Sequence, residues 1–137
     1  MKAFHTYLNF DGNTREAMTF YQQCLDAELA IQTYADAKID APPGGENRTI
    51  HARLQKGSAI LMASDIMPGM EFTQGNNFFV SIDCESIAET DRLFSAFKGG
   101  GKVLVEPQDM FWGAYFGMLT DKFGVSWMFN CERTKKG

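Results

Sequence analysis

At 137 residues the chain has room for one domain with a substantial core and little room for two independent ones. A net charge of -4 and a pI near 5.1 leave no basic footprint, which argues against nucleic acid or an anionic membrane surface as a partner. No apolar run approaches the ~20 residues that span a bilayer. Alternation begins within Met1–His5 and leaves no space for a signal peptide, so a cytoplasmic protein is expected.

The first strand is expected over Phe4–Phe10, with Phe4, Thr6, Leu8 and Phe10 on one face and His5, Tyr7 and Asn9 on the other. Asp11-Gly12 breaks it, and Asn13 has the form of a helix N-cap with Glu16 at the third helical position. Ala17, Phe20, Tyr21, Cys24 and Leu25 follow at offsets of three and four, one apolar stripe. Glu28–Tyr34 reads as a strand. The segment from Asp36 to Asn47 holds Pro42-Pro43-Gly44-Gly45 and reads as a loop. Two strands, Thr49–Gln55 and Ala59–Ser64, are joined by a short hairpin at Lys56-Gly57-Ser58.

After a linker over residues 66–75 the pattern starts again. Asn77–Asp83 alternates as a strand, and Ser86-Ile87-Ala88-Glu89 is a capping box ahead of a stripe of Ile87, Leu93, Phe94 and Phe97. Gly99-Gly100-Gly101 ends that helix. Strands are expected over Val103–Glu106, Ala114–Thr120 and Val125–Asn130, the last two joined by a turn at Lys122-Phe123-Gly124. A shift of 73 residues carries Asn13 to Ser86, Glu16 to Glu89, Phe20-Tyr21 to Leu93-Phe94 and Cys24 to Phe97. So ordered a series points to internal duplication. The expected fold class is α+β: a single domain over 1–137 with a first βαβββ module over 1–65 and a second over 76–137.

Cys24, Cys84 and Cys131 lack the spacing of a disulfide framework or a zinc site and read as reduced structural residues. The basic stretch Arg133–Lys136 reads as a solvated terminus. The 12 Phe and 8 Met exceed what a small core needs, so part of them is expected at a cavity or an interface.

The duplicated module, with Tyr7-Leu8-Asn9-Phe10-Asp11-Gly12-Asn13, Glu16-Ala17 and Phe20-Tyr21, and the ending Asp121-Lys122-Phe123-Gly124-Val125-Ser126-Trp127, resembles the vicinal oxygen chelate superfamily. That superfamily includes glyoxalase I, extradiol dioxygenases, fosfomycin-resistance enzymes and bleomycin-resistance proteins. Within it the chain is similar to the PhnB-like branch, also labelled 3-demethylubiquinone-9 3-methyltransferase-like. The resemblance implies the glyoxalase/bleomycin resistance fold, a curled mixed sheet around a central cleft, commonly in a homodimer.

In metal-using relatives the first and last strands of each module supply the ligands. Carried over, those positions fall on His5, Met62, Asn77 and Met128, and a one-residue slip gives Leu61 or Trp127. One imidazole, one amide and two thioethers lack the anionic charge a hard divalent ion wants, so no metal cofactor is expected. His51 lies on a strand that does not normally supply a ligand. A methyltransferase would need a nucleotide-type cofactor fold, which the pattern does not supply.

The expected cleft lining is His5, Tyr7, Asn9, Met62, Ser64, Asn77, Phe79, Ser126 and Met128, with Ser81 and Asn130 beside them and Trp112 as a rim or lid contact. Trp127 is expected behind the sheet, and Asp65 and Glu106 near strand ends. This is an apolar body with a few amides and hydroxyls, suited to a small, partly aromatic ligand. His5, as a histidine on the expected cleft face, is the candidate acid-base group. Three readings follow: a metal-free binding protein, a metal-dependent lyase, isomerase or dioxygenase built on His5, and a protein whose dimer interface matters most.

Overall fold

The computed structural model describes residues 1–133 and contains the elements β1 (Thr6–Phe10), α1 (Thr14–Leu25), β2 (Glu28–Thr33), β3 (Thr49–Lys56), β4 (Ala59–Asp65), β5 (Val80–Asp83), α2 (Ile87–Phe97), β6 (Lys102–Asp109), β7 (Ala114–Thr120) and β8 (Ser126–Glu132). They fall into two compact units, one running from Met1 to Thr73 and one beginning at Gln74. Each unit is βαβββ, and the four-stranded sheets have matching orders, β1-β4-β3-β2 and β5-β8-β7-β6. In each, the first strand pairs in parallel with the last and the other pairs are antiparallel. The α+β class and the repeated module are therefore as the sequence pattern predicts. Residues 134–136 of the basic stretch lie outside the described residues.

In the first unit one sheet face packs on α1. Phe10, Ala52, Leu54, Leu61 and Ala63 point to that side and are buried with Ala17, Met18, Tyr21 and Cys24 of the helix. Burying each Leu, Phe or Met of this set stabilises the fold by about 1.5–3 kcal/mol, and each Ala by less. The Asn13 side chain does not cap α1, contrary to the sequence reading. Asp65, at the end of β4, does so from 51 residues away: its Oδ1 accepts from the Thr14 backbone N–H at 3.0 Å and from the Thr14 hydroxyl at 2.6 Å. The same oxygen accepts from Gly12 N–H at 3.0 Å, while Oδ2 accepts from Thr49 N–H at 2.8 Å. A carboxylate at a helix N-terminus also meets the positive end of the helix dipole.

The second unit uses a related clasp. Asp121 is buried; its Oδ1 accepts from the N–H groups of Phe123 and Val125, and its Oδ2 from Trp127 Nε1 at 2.8 Å. The ending Asp121–Trp127 is thus a structural turn, closed by Gly124 at φ +83°. Trp127 is buried against Phe97, ring centroids 4.7 Å apart, on the helix side of the sheet. Ser86 Oγ accepts from Glu89 N–H, but the Glu89 carboxylate reaches back to Glu85 N–H, one residue beyond the usual capping-box partner. After α2 the glycines do make the stop: Gly100 sits at φ +74°, and a Cβ on Gly101 would collide with the Thr120 carbonyl oxygen.

Several strand boundaries differ from expectation, most by a residue or two. β1 starts at Thr6, so His5 precedes it; the alternation back to Phe4 carries no burial, Phe4 being 86% exposed. β5 starts at Val80, so Asn77 and Phe79 precede it in irregular backbone. β6 runs on to Asp109 through Pro107, which an edge strand tolerates, and its pairing with β7 shifts register between Val105 and Gln108.

Candidate functional site

The sheet faces turned away from the helices carry most of the candidate residues. Across the first unit, Tyr7 is in register with Met62 and Asn9 with Ser64, and Met62 is in register with Arg53 of β3. Laterally paired residues share a sheet face. Tyr7, Asn9, Met62 and Ser64 therefore lie together as the sequence spacing implies, Tyr7 and Asn9 exposed and Met62 and Ser64 half-buried. Ser64 Oγ donates to Asn9 Oδ1 at 3.4 Å, at the long limit of a hydrogen bond.

That face also holds residues the sequence reading passed over. Tyr7 Oη lies 3.3 Å from His51 Nδ1, the rings tilted with centroids 5.9 Å apart. His51 and Arg53 are two apart on β3, hence on one face, and pair with Gln32 and Ala30 of β2. The signal was present: His51, Arg53 and Gln55 alternate with the buried Ala52 and Leu54. His5, exposed and ahead of β1, is not held on this face by the pleat.

Across the second unit, Ser81 pairs with Met128 and Asp83 with Asn130. Met128 pairs with Met118, Ser126 with Thr120 and Asn130 with Phe116. Ser126, Met128 and Asn130 are half-buried on the face opposite Trp127 and Phe129. The Ser126 and Thr120 hydroxyls are 3.0 Å apart. Trp112, 52% exposed, precedes β7 and sits edge-on to Phe116 at 5.5 Å and to Phe111 at 5.1 Å. Asn77 is exposed and Phe79 half-buried, both outside β5. Phe116 and Met118 are further residues of this face that the sequence reading did not single out.

The carboxylates near strand ends divide. Asp65 belongs to the α1 clasp on the helix side, and Glu106 is exposed on edge strand β6. Burial raises the Cys84 thiol pKa, partly countered by a hydrogen bond with Thr90. Tyr115 donates to Asp91 at 2.6 Å, which raises its phenol pKa because ionisation would set two negative groups together. Both act on the helix side of the second sheet, away from Met128.

As a metal site the four positions His5, Met62, Asn77 and Met128 do not fit a hard divalent ion. Two are thioethers, one is an amide, and the imidazole and amide lie outside the strands. Among the described residues no three His, Cys, Asp or Glu side chains gather in a metal-binding group. Among the described residues each sheet has one parallel pair and no doubly wound order, unlike a nucleotide-type methyltransferase fold. Among the described residues no helix is long and apolar enough to cross a membrane.

Two mixed four-stranded sheets, each from a βαβββ unit with one helix, define the glyoxalase/bleomycin resistance fold. A glyoxalase/bleomycin resistance protein/dioxygenase family enzyme from Burkholderia phytofirmans PsJN shares that fold: 16% identity, 93% of this chain and 95% of that one covered, TM-score 0.66. The family model described as 3-demethylubiquinone-9 3-methyltransferase matches residues 2–129, and the chain belongs to that PhnB-like family. Protein PA1353 from Pseudomonas aeruginosa is 39% identical, with 98% of this chain and 100% of that one covered and a TM-score of 0.87. A putative 3-demethylubiquinone-9 3-methyltransferase, PhnB protein, from Bacillus cereus is 30% identical, covering 95% of this chain and 99% of that one at TM-score 0.78.

Proposed function

We propose that the protein binds a small, partly aromatic organic molecule on the open faces of its sheets, without a divalent ion, and works as a cytoplasmic homodimer. The observation that supports this reading best is the composition of those faces. Tyr7, Met62 and Ser64 in one unit, and Ser81, Phe116, Met118, Met128 and Asn130 in the other, combine apolar and sulfur surface with hydroxyls and an amide. That is the make-up of a site that grips a ring by contact area and orients it by a few hydrogen bonds. Where metal-using relatives carry carboxylate ligands this chain carries Met62 and Met128, so binding and not Lewis-acid chemistry is the expected activity. His5, Asn77, Phe79 and Trp112 belong to the proposal as rim contacts.

A thermal-shift screen of aromatic and amphipathic small molecules tests it. A ligand at 100 times its Kd adds about 2.7 kcal/mol of stability, and the shift is expected to shrink in Met62→Lys and Met128→Lys variants that remain folded. Equal shifts in parent and variants would overturn the assignment of these faces.

A further inference from the structure

The Tyr7 side chain crosses β4 to set its hydroxyl 3.3 Å from His51 Nδ1 on β3, so it covers the β4 side of this face and leaves the β2 side open. There β2 is the edge strand, with Ala30 in register with Arg53 and Gln32 with His51. Cross-strand partners stand roughly 5 Å apart, and positions two residues apart along a strand roughly 7 Å. Arg53, His51 and Gln32 therefore surround the small Ala30. Ala30, Gln32 and Arg53 are exposed and His51 is half-buried, so no side chain closes over Ala30. Among the described residues Arg53 and Gln32 have no side-chain hydrogen bond or ion pair, although the chain is acidic overall. The carboxylate of β2 on this face, Glu28, is in register with Gln55, one step along the strand from Ala30.

We infer that the β2–β3 part of this face is a carboxylate subsite, which holds the acidic group of a small organic acid above Ala30 on Arg53, His51 and Gln32. It rests on the binding reading above and gives the class of its ligand. A guanidinium presents parallel N–H donors matched to a carboxylate, and an arginine without an internal anion has its full donor set available. His51 adds a donor through its tautomer. With the Tyr7 hydroxyl donating to Nδ1, the neutral imidazole carries its proton on Nε2, on the side of the ring away from Tyr7 and β4. Tyr7 is thereby a positioning residue for that donor. The Gln32 amide supplies an N–H from the neighbouring strand. Two guanidinium donors, one imidazole donor and one amide donor match the lone pairs that a single carboxylate offers.

Benzoate titrated into the full chain tests the subsite, with benzyl alcohol as the uncharged counterpart and inorganic phosphate as the other oxyanion. NMR of the His51 ring nitrogens and the Gln32 side-chain amide reads the binding. Saturable shifts at both groups with benzoate, at least tenfold weaker binding in Arg53→Gln and tighter binding in Glu28→Gln are expected. Tyr7→Phe keeps the ring; it is expected to raise the Nδ1–H share of His51 and to weaken benzoate binding by less than Arg53→Gln does. An unchanged tautomer balance in that variant overturns the positioning role of Tyr7, and phosphate binding as tight as that of benzoate overturns the carboxylate assignment. Equal binding of the alcohol, or an affinity unchanged in Arg53→Gln, overturns the subsite and leaves the binding reading standing where the Met62 or Met128 methyl signals still respond. A chain in which none of these signals moves overturns the subsite and counts against that reading as well.

Discussion

Replacing Asp65 by Asn keeps the side-chain volume and removes one charge, and the structure sets what that costs. The carboxylate accepts from Gly12 N–H, Thr14 N–H, the Thr14 hydroxyl and Thr49 N–H, the last three in buried surroundings. An amide can serve one side of this set. If its oxygen faces Gly12 and Thr14, its NH2 meets the Thr49 N–H donor to donor, and turning it over sets the clash at Thr14. Losing a hydrogen bond to a charged group costs about 1.5–3 kcal/mol, and stranding a buried donor costs about 1–3 kcal/mol. A net loss of about 3 kcal/mol is a fair expectation. For a chain of this size it corresponds to a fall in Tm on the order of 10 °C. Thermal unfolding followed by circular dichroism would measure it, with the exposed Asp83→Asn as the control. A fall of under about 3 °C, or one equal to the control's, would refute the claim that Asp65 ties α1 to the sheet.

Other outcomes follow from the same geometry. Gly101→Ala drives a Cβ into the Thr120 carbonyl oxygen and is expected to destabilise by over about 2 kcal/mol, whereas Gly99→Ala, with open space around it, should be close to neutral; urea unfolding compares them. Asp121→Asn is expected to shift Trp127 emission, because the indole N–H loses a charged acceptor, and steady-state fluorescence reads this directly. Cys84, with its pKa raised by burial, favours the neutral thiol in the folded state. Its contribution is fully present below the unfolded thiol pKa near 8.5 and declines as pH rises through that value toward the folded one. Cys84→Ala should therefore lose less stability than the parent between about pH 8 and 10 in urea titrations, and a parallel decline would contradict the assignment.

Much of this architecture is legible in the residues themselves. The stripe of Ala17, Tyr21 and Cys24 and that of Leu93, Phe94 and Phe97 mark two helices correctly, and the 73-residue shift anticipates two sheets of like order. What is not legible depends on pairing across the chain. Phe4 and Asn77 continue an alternating pattern, yet a strand extends only as far as its partner and its shelter do, and these ends have little. Asp65 looks like a strand-end carboxylate because its helix lies 51 residues away. The strand pattern around His51 gives no hint of a partner, whereas in the fold Tyr7 of β1 reaches it across β4. Local pattern finds elements; the site is a property of register.

In the proposed function the protein holds an organic ligand without help from a metal ion. Isothermal titration of the best thermal-shift ligand into protein before and after exhaustive chelation tests it most directly. The same Kd and stoichiometry are expected in both, with no change when Mn, Ni or Zn is restored. Affinity that disappears on chelation and returns with one of those ions would contradict it.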